Sequence, residues 1–263
     1  MEVILRPDAE AAAKLAAKLV ARQLRRKPDS VLGLATGRTM ERLYAELVRM
    51  HREEGLDFSL CRTFNLDEYI GLPVTDPHSY RHYMNEQLFR RVNIDLRNTH
   101  LPDGMATDLG AECERYEELI RSTGGIDLQL LGIGESGHIG FNEPLSSLRS
   151  RTRDKSLMPE TLAVNSALFG GDVEQVPHRA ITMGVGTILD ARFILLLATG
   201  PRKAVILAKA LEGPVTSMVT ASALQLHPAC RVILDEAAAS GLQEKSYYRW
   251  IFENEPEWAP YRG

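Results

Sequence analysis

The stretch from Ile126 to Pro144 constrains the fold of this chain more than any other. A mostly apolar run of strand length stops at Gly132, and three glycines within six positions then force a tight turn. Such a run is typical of a strand inside a parallel sheet. Because open parallel sheets bind ligands just beyond the carboxyl ends of their strands, we expect chemistry at His138 and Glu143, which follow the turn.

Three other interpretations of this stretch have to be weighed. The spacing of Gly132, Gly134 and Gly137 matches the dinucleotide-binding fingerprint, but Pro144 and another glycine break the helix that the fingerprint requires. Ser136 beside His138 could serve a hydrolase, yet a nucleophile elbow would end in glycine where the histidine stands. A glycine-rich turn with an incidental surface histidine is the third interpretation.

Length and composition favour a single α/β domain over residues 1–263. The chain has 44% hydrophobic and 25% charged residues, as an ordinary globular protein does. Its net charge of -4 and isoelectric point near 6.0 argue against nucleic acid or an acidic membrane as the main partner. Any anionic substrate must therefore be bound by locally clustered cations.

The chain has no sequence signal for export or membrane insertion. Charged residues lie within its first eight positions, and no long apolar segment follows. Its three cysteines, Cys61, Cys113 and Cys230, are far apart, as expected of reduced thiols without a catalytic role. We therefore expect a cytoplasmic protein.

Helix and strand patterns alternate along the chain. They predict an open, doubly wound, mostly parallel sheet with helices on both faces, which is a Rossmann-like α/β fold. The predicted helices cover residues 8–27, 40–52, 78–92 and 109–121. The predicted strands cover residues 31–34, 60–65, 126–131, 181–183, 193–197 and 232–234.

Two strand-to-helix turns are candidates for binding a phosphate group. A turn of mostly small residues, from Ala35 to Thr39, separates a strand from a helix, where free N–H groups and the helix dipole attract anions. An ordinary connecting turn is the alternative. Lys203 is predicted in the first turn of a later helix, where a cation is better explained by a bound anion than by helix stability.

Asp67 is the candidate base, because it follows a predicted strand directly and should share the sheet edge with His138. A turn-capping role is the commoner use of aspartate in such a place.

We expect no metal, since His138 has no second histidine at helical spacing. Residues 146–155 are basic and could hold a second anion, and residues 165–176 form a candidate mobile flap.

Four segments together resemble the glucosamine-6-phosphate deaminase family. They are Leu34-Ala35-Thr36-Gly37, Phe64-Asn65-Leu66-Asp67-Glu68-Tyr69, Gly137-His138-Ile139-Gly140-Phe141-Asn142-Glu143-Pro144 and Ser222-Ala223-Leu224-Gln225-Leu226-His227-Pro228. The resemblance covers nearly the whole chain, and the third segment is highly specific to that family. The looser relative, 6-phosphogluconolactonase, shares the Gly-His pair but not Phe-Asn-Glu-Pro.

The resemblance implies a cofactor-free, metal-free conversion of glucosamine 6-phosphate and water to fructose 6-phosphate and ammonia. Such an enzyme is an ammonia-releasing isomerase of the hydrolase class. By the same resemblance, His138 oriented by Glu143 opens the sugar ring, and Asp67 takes the C2 proton. Phosphate binding falls to the turn formed by Thr36, Gly37, Arg38 and Thr39, together with Lys203.

The chain departs from the family pattern at three positions. Arg38 replaces a glycine in the phosphate turn, and Ala167 stands where the family typically has a phosphate-binding arginine. Our hypothesis is that Arg38 substitutes for the missing guanidinium, because arginine is long and binds phosphate through two donors. Ser136 replaces the usual Asp or Asn beside the catalytic histidine and is counted among the catalytic candidates.

Regulated members of the family bind N-acetylglucosamine 6-phosphate at a subunit interface in a hexamer. The matching positions here are Ser147, Arg153 and Lys155, so the resemblance favours an allosteric site and a homo-hexamer. Three alternatives stay open at this point. They are another amino-sugar phosphate as substrate, a lactonase, and a non-catalytic sugar-phosphate sensor.

Overall fold

The computed structural model describes residues 1–262, and ten strands form its two sheets. The strands are β1 (Glu2–Arg6), β2 (Val31–Leu34), β3 (Arg62–Asn65), β4 (Asp67–Tyr69), β5 (Thr99–His100), β6 (Leu128–Leu131), β7 (Arg153–Ser156), β8 (Arg179–Thr182), β9 (Ile194–Ala198) and β10 (Cys230–Asp235). Seven of them form the main sheet in the order β1-β10-β9-β6-β2-β3-β5, and every neighbouring pair in it is parallel.

Eight α-helices pack around the strands. They are α1 (Ala9–Arg26), α2 (Arg38–Glu54), α3 (Tyr80–Gln87), α4 (Leu109–Ser122), α5 (Pro159–Asn165), α6 (Val185–Leu189), α7 (Ala204–Leu211) and α8 (Lys245–Asn254). Helix α1 begins where Asp8 accepts a hydrogen bond from the Ala11 N–H, and α2 ends at Gly55 in the left-handed conformation. Within residues 1–262, no helix is both long and apolar enough to cross a bilayer.

The order of the main strands reverses between β2 and β6. From β2 the chain steps outward to β3 and β5, returns to β6 on the other side of β2, and continues outward to β9 and β10. The predicted open, doubly wound, mostly parallel sheet is therefore confirmed. Ligands bind such sheets where the strand order reverses, so the loops that follow β2 and β6 flank the expected site.

A second sheet of three antiparallel strands, in the order β4-β8-β7, was not predicted. The chain leaves the main sheet after Asn65 and pairs at once with β8, so that Asp67 lies opposite Thr182. The strand predicted at residues 181–183 thus belongs to this small sheet and not to the main one. Strand β4 has only three residues and β7 is polar throughout, so neither has the apolar run or the alternation that reveals a strand.

One further prediction is corrected, and a strand at the edge of the main sheet was missed. The helix predicted over residues 78–92 is the shorter α3, and a separate 3-10 turn follows it at Phe89–Arg91. The first strand, β1, was missed; it lies at one edge of the main sheet beside β10.

The apolar interior has two parts. The larger surrounds the main sheet, and the smaller one covers the small sheet. The smaller cluster comprises Tyr69, Phe141, Leu157, Leu162, Phe169, Val176 and Ala180. It joins the loop that follows β6 to the segment after β7, so these two segments are packed against each other at the sheet edge.

The turn before α6 is a close contact that only glycine allows. A Cβ on Gly184 would overlap the backbone carbonyl of Ser150. The same carbonyl accepts the Gly186 N–H at 2.9 Å, while the Ser150 hydroxyl accepts the Val185 N–H at 3.0 Å. The segment that leads into β7 is therefore fixed against α6.

We expect Gly184→Ala to lower the free energy of unfolding by about 2–4 kcal/mol, because the backbone must shift to admit the methyl group. Urea unfolding measures the change. Gly110→Ala is the matched control, since a Cβ there meets nothing closer than 3.4 Å in the first turn of α4. Equal unfolding midpoints for the two variants would contradict this prediction.

Candidate active site

The loop after β6 folds back so that His138 lies over its own glycines. The His138 carbonyl accepts the Gly134 N–H at 2.9 Å, and a Cβ on Gly134 would overlap the imidazole ring. Gly137 has a φ of 83°, a conformation that other residues rarely adopt. The glycines of this turn therefore serve to seat the histidine, rather than to start a dinucleotide-binding helix.

One nitrogen of His138 contacts two oxygen atoms. Its Nδ1 lies 2.7 Å from the Ser136 hydroxyl and 3.1 Å from Glu143 Oε2. The contact with Glu143 is an ion-pair contact without the alignment of a hydrogen bond. The side chain of His138 is 13% exposed. Because Nδ1 is occupied, the other ring nitrogen is the one left for a substrate proton.

Glu143 is a buried carboxylate with partners at both oxygens. Its Oε1 accepts the Thr161 hydroxyl at 2.6 Å and the Met158 N–H at 3.3 Å. Burial by itself would raise the pKa of Glu143, but the contacts with His138, Thr161 and Met158 outweigh it and hold the pKa below its ordinary value. Glu143 is therefore ionised at neutral pH, and its negative charge faces His138 Nδ1.

Asp67 has the opposite environment. It is 6% exposed and makes no side-chain hydrogen bond within the described part of the chain. Burial, assisted by the neighbouring Glu68, raises the pKa of Asp67 to about 8. A Cβ built on Gly140 would lie 3.5 Å from Asp67 Oδ2, so this carboxyl faces the His138 loop.

The neighbouring acid, Glu68, has a structural role. Its carboxylate accepts the N–H groups of Tyr69, Tyr80 and Arg81, each at 2.9 Å, and so holds the start of α3. With these three donors Glu68 has little capacity left for a substrate. Of the two adjacent acids, Asp67 is the one whose carboxyl group has no hydrogen bond within residues 1–262, so it is the one available to exchange a proton with a ligand.

The predicted phosphate turn lies at the N-terminus of α2. Gly37 precedes the helix with a φ of 111°, and no side chain caps the helix. Its carbonyl accepts the Tyr83 hydroxyl at 2.9 Å, which fixes the turn. Uncapped N–H groups at the start of a long helix suit a phosphate group. Thr36 and Thr39 are half-buried in this turn.

Lys203 was predicted in the first turn of a helix. It is instead the last residue of a 3-10 turn, and α7 begins at the next residue. Burial lowers the pKa of Lys203; Arg202 and Arg38 lower it further, while Glu135 opposes them. Arg38 is exposed and makes no side-chain hydrogen bond or ion pair within residues 1–262. Three cations beside the single carboxylate of Glu135, which lies 3.8 Å from Arg202, leave a net positive charge, and such a charge is expected where an anion binds.

A carboxylate at the end of β10 shapes the Lys203 turn. Asp235 accepts the Gly200 N–H through both oxygens, at 3.0 and 3.1 Å, and the Ala238 N–H at 2.7 Å. Gly200 has a φ of 90°. These bonds fix the backbone that presents Lys203, although sequence reasoning did not single out Asp235.

The remaining predicted residues lie away from this cluster or at its border. Ala167 is exposed in a 3-10 turn after α5. Arg153 donates to Asn142 Oδ1 at 2.9 Å, beside Glu143 in sequence, whereas Ser147 lies in an exposed turn and accepts the Arg149 N–H. Lys155 is half-buried on β7. Within residues 1–262 no cluster of three His, Cys, Asp or Glu residues is placed to hold a metal.

Threonines that sequence reasoning missed hold the His138 loop. The Thr182 hydroxyl accepts the Phe141 N–H at 3.1 Å, and the Thr220 hydroxyl donates to the Asn142 carbonyl at 2.9 Å. Asn142 itself donates to the Met183 carbonyl at 2.8 Å. Threonine has no pattern of its own in a sequence, and Thr182 and Thr220 both lie outside the four family-like segments, so none of these sequence signals points to them.

Comparison with known proteins identifies the family to which these site elements belong. Residues 7–236 match the sequence model described as glucosamine-6-phosphate isomerases/6-phosphogluconolactonase. The chain belongs to this family. It is 50% identical over 258 residues to the glucosamine-6-phosphate deaminase of Arthrobacter sp. (strain FB24), covering 98% of this chain and 99% of that one. It is 52% identical to the enzyme of the same name from Hahella chejuensis, covering 95% of both chains.

Solved structures show the same fold. A monomeric glucosamine-6-phosphate deaminase of 45% identity superposes with a TM-score of 0.90 and covers 92% of this chain and all of its own. The 6-phosphogluconolactonase from Trypanosoma cruzi superposes with a TM-score of 0.75 at 20% identity, covering 92% of this chain and 97% of its own. This second likeness shows a shared fold only.

The raised pKa of Asp67 predicts how stability varies with pH. Folded Asp67 loses its proton near pH 8, whereas the unfolded residue loses it near 3.8. Between these two pH values the folded protein holds a proton that the unfolded chain has lost. The stability that this protonated carboxyl group contributes is therefore fully present below about pH 4 and is lost as the pH rises to about 8. Since Asn does not ionise, Asp67→Asn should gain stability relative to wild type between pH 5 and pH 9, by at least about 2 kcal/mol.

Urea unfolding of both proteins at the two pH values measures this gain. Glu114→Gln, at an exposed position of α4, is the control and should show no such gain. A stability difference between wild type and Asp67→Asn that is the same at pH 5 and pH 9 would show that Asp67 has no raised pKa.

Proposed function

We propose that this protein is a glucosamine-6-phosphate deaminase that converts glucosamine 6-phosphate and water to fructose 6-phosphate and ammonia. The proposal rests on Asp67, a buried carboxyl group that faces the loop carrying His138 and Glu143. The turn that carries Lys203 lies at the same edge of the sheet. Relatives of about 50% identity that carry this name support it. Because water enters and ammonia leaves, the balanced reaction is formally a hydrolysis.

His138 and Glu143 act first, by opening the pyranose ring. His138 takes the proton of the C1 hydroxyl and returns a proton to the ring oxygen as the C1–O5 bond breaks. The negative charge of Glu143, 3.1 Å from Nδ1, stabilises the imidazolium that exists between these two transfers. Ser136 holds the ring orientation through its contact with the same nitrogen at 2.7 Å.

Asp67 then moves one proton from C2 to C1. The electrons of the C2–H bond pass to the C1 carbonyl, whose oxygen takes a proton from the ammonium group on C2, so that an enaminol with a neutral amine forms. The amine nitrogen next donates its electrons as Asp67 returns the proton to C1. The product is a protonated imine at C2. Water adds to this carbon, ammonia leaves, and the C2 carbonyl of fructose 6-phosphate remains. Every step is a proton transfer or an addition that these side chains can support without a cofactor.

The phosphate group is proposed to bind between the Thr36–Thr39 turn and Lys203. Uncapped N–H groups of α2 and the partly buried ammonium support this placement. Arg38 stands at the start of the same helix, close enough to Lys203 to lower its pKa. We propose that Arg38 supplies the guanidinium that the family pattern places at position 167.

The test is to supply glucosamine 6-phosphate and measure ammonia and fructose 6-phosphate, which should form in equal amounts. Asp67→Asn and His138→Gln should each lower kcat by about a hundredfold or more, because each removes a proton-transfer group. Glu114→Gln is the control and should match wild type.

If the protein instead hydrolyses 6-phosphogluconolactone, it is a lactonase. Binding of sugar phosphates without turnover would make it a sensor.

The role of Arg38 gives a separate prediction. Arg38→Ala should raise the KM for glucosamine 6-phosphate about tenfold with little change in kcat, since a hydrogen bond to a charged group contributes about 1.5–3 kcal/mol. Steady-state kinetics measure it. Arg42→Ala removes an exposed arginine one turn further along α2 and should leave KM unchanged. A rise below twofold in Arg38→Ala would mean that Arg38 does not contact the phosphate.

We further propose that Arg153 and Lys155, with Ser147, form the second anion site for N-acetylglucosamine 6-phosphate. Arg153 and Lys155 are alternate residues of β7 and so share one face, which supports the proposal.

The hexamer stays a prediction, and the relative of 45% identity is described as monomeric. The cytoplasm is the proposed compartment, supported by three buried cysteines that are unpaired within the described residues.

A further inference from the structure

An open concavity of about 400 Å³ lies beside α3 and outside the proposed active site. Its volume falls within the range of roughly 300–1,000 Å³ that small-molecule sites occupy. The loop after β4, the helix α3 and the 3-10 turn that follows this helix all contribute to its walls. The lining residues are Val74, Thr75, Arg81, His82, Asn85 and Arg90. No carboxylate is among them, so the only charged groups in the lining are basic.

The helix α3 separates this concavity from the proposed phosphate turn. Tyr80, Tyr83 and Met84 share one side of the helix, and that side packs against the main core. On the same side, the Tyr83 hydroxyl donates to the carbonyl of Gly37 in the phosphate turn. The lining residues of α3 lie on a different side, because successive residues of an α-helix are rotated by about 100°. The concavity and the turn therefore have no lining residue in common.

Arg81 is a positive charge that is held in place without an acidic partner. Its guanidinium donates to the hydroxyl of Thr99 at 2.8 Å and to the carbonyl of the same residue at 2.9 Å, and it lies over the Phe89 ring at 5.9 Å. Burial lowers the pKa of Arg81, and the charges of Tyr116 and Glu68 offset this only in part. A guanidinium has more N–H donors than these bonds use, so Arg81 can still donate to a ligand.

The other polar side chains of the lining are held weakly or make no hydrogen bond. Within residues 1–262, the side chains of His82 and Asn85 donate to no acceptor and accept no donor. Arg90 pairs with Glu86 at 3.1 Å, but the two side chains are 63% and 46% exposed. An exposed pair of this kind contributes little to stability, so an anion can compete with Glu86 for Arg90.

The surroundings of the concavity are also positively charged. Burial lowers the pKa of His100, and Arg81, Arg115 and Arg62 lower it further. Of the acids near the lining, Asp76 is hydrogen-bonded to the side chain of a neighbouring histidine at 2.9 Å. The positive potential thus extends beyond the lining itself, and such a potential attracts anions into a concave surface.

We propose that this concavity is a binding site for a phosphate monoester of a small polar molecule. Arg81 and Arg90 present planar guanidinium groups, which pair with phosphate oxygens through two donors, and the Asn85 amide adds another donor. Val74 and Thr75 offer an apolar surface and a hydroxyl to the rest of the ligand. No Phe, Tyr or Trp lines the concavity, so a nucleobase has no ring on which to stack. The inference does not depend on the proposed deaminase function.

The NMR signals of the His82 ring protons test the proposal, and His82→Gln identifies them. Inorganic phosphate and glucose 6-phosphate are the probes, added at constant ionic strength, with chloride alone as the reference. Because His82 lines the concavity, binding at the active site does not obscure this readout. Arg91→Ala is the matched control for Arg90→Ala, since Arg91 is the next residue, is exposed and lies outside the lining.

Both probes should shift the His82 signals to saturation, with a Kd for glucose 6-phosphate at least about fivefold below that of inorganic phosphate, since the rest of the sugar adds contacts. Arg90→Ala should raise both Kd values about tenfold, the size expected for a hydrogen bond between charged groups, and Asn85→Ala about threefold. Glu86→Gln should lower them, because it removes the competing carboxylate. Arg91→Ala should stay within about twofold of wild type.

Three results would overturn the inference. Signals that do not shift, or that shift equally with chloride, would show that the concavity binds no phosphate. Equal weakening by Arg90→Ala and Arg91→Ala would show a diffuse positive surface without a site. A Kd for glucose 6-phosphate no lower than that for inorganic phosphate would refute the assignment to a phosphate monoester.

Discussion

The pairing of Asp67 with Thr182 is the contact on which the site depends. It draws the chain out of the main sheet immediately after β3 and places a carboxyl group in an apolar setting beside the His138 loop. A buried carboxyl group without partners is costly for a protein, and this one keeps its proton to about pH 8. The small sheet, its apolar cluster and the glycine turn that seats His138 are all arranged around this residue.

The two carboxyl groups of the site have opposite environments and therefore different roles. Asp67 has no donor among residues 1–262, and burial raises its pKa. Glu143 has donors at Oε1 and an imidazole at Oε2, which lower its pKa despite burial. A group with a pKa near the working pH can both accept and return a proton, while a permanent carboxylate can only stabilise a neighbouring cation. In the proposed mechanism Asp67 therefore transfers the proton, and Glu143 stabilises the charged imidazole.

The parts of this structure that the sequence could predict are those with a repeating physical signal. Strand and helix periodicity located most of the main sheet, and the rule that strands of a parallel sheet end at one edge placed the turns after β2, β3, β6 and β9 on that edge. The small sheet has no such signal, because β4 has only three residues and β7 is polar throughout.

The same limit applies within the site. The sequence favoured Asp67 as the base over its neighbour Glu68, but the three backbone donors that give Glu68 its structural role are seen only in the structure. The threonines at 161, 182 and 220 fix the loop and Glu143 by single hydrogen bonds between segments distant in sequence. A contact of this kind depends on tertiary packing, which no local pattern encodes.

The charges of the site also argue for an amino sugar rather than a lactone. At neutral pH Asp67 is mostly protonated in the free protein, and so is a poor base until something lowers its pKa. An ammonium group on C2 does this, because a carboxylate that removes the C2 proton must lie within a few ångströms of it. A phosphorylated lactone has no positively charged group. Its phosphate would pair with the Lys203 ammonium, but nothing in it would lower the pKa of Asp67, which would stay protonated. The substrate that best completes both ends of this site is therefore one with a phosphate at one end and an amine beside the reacting carbon.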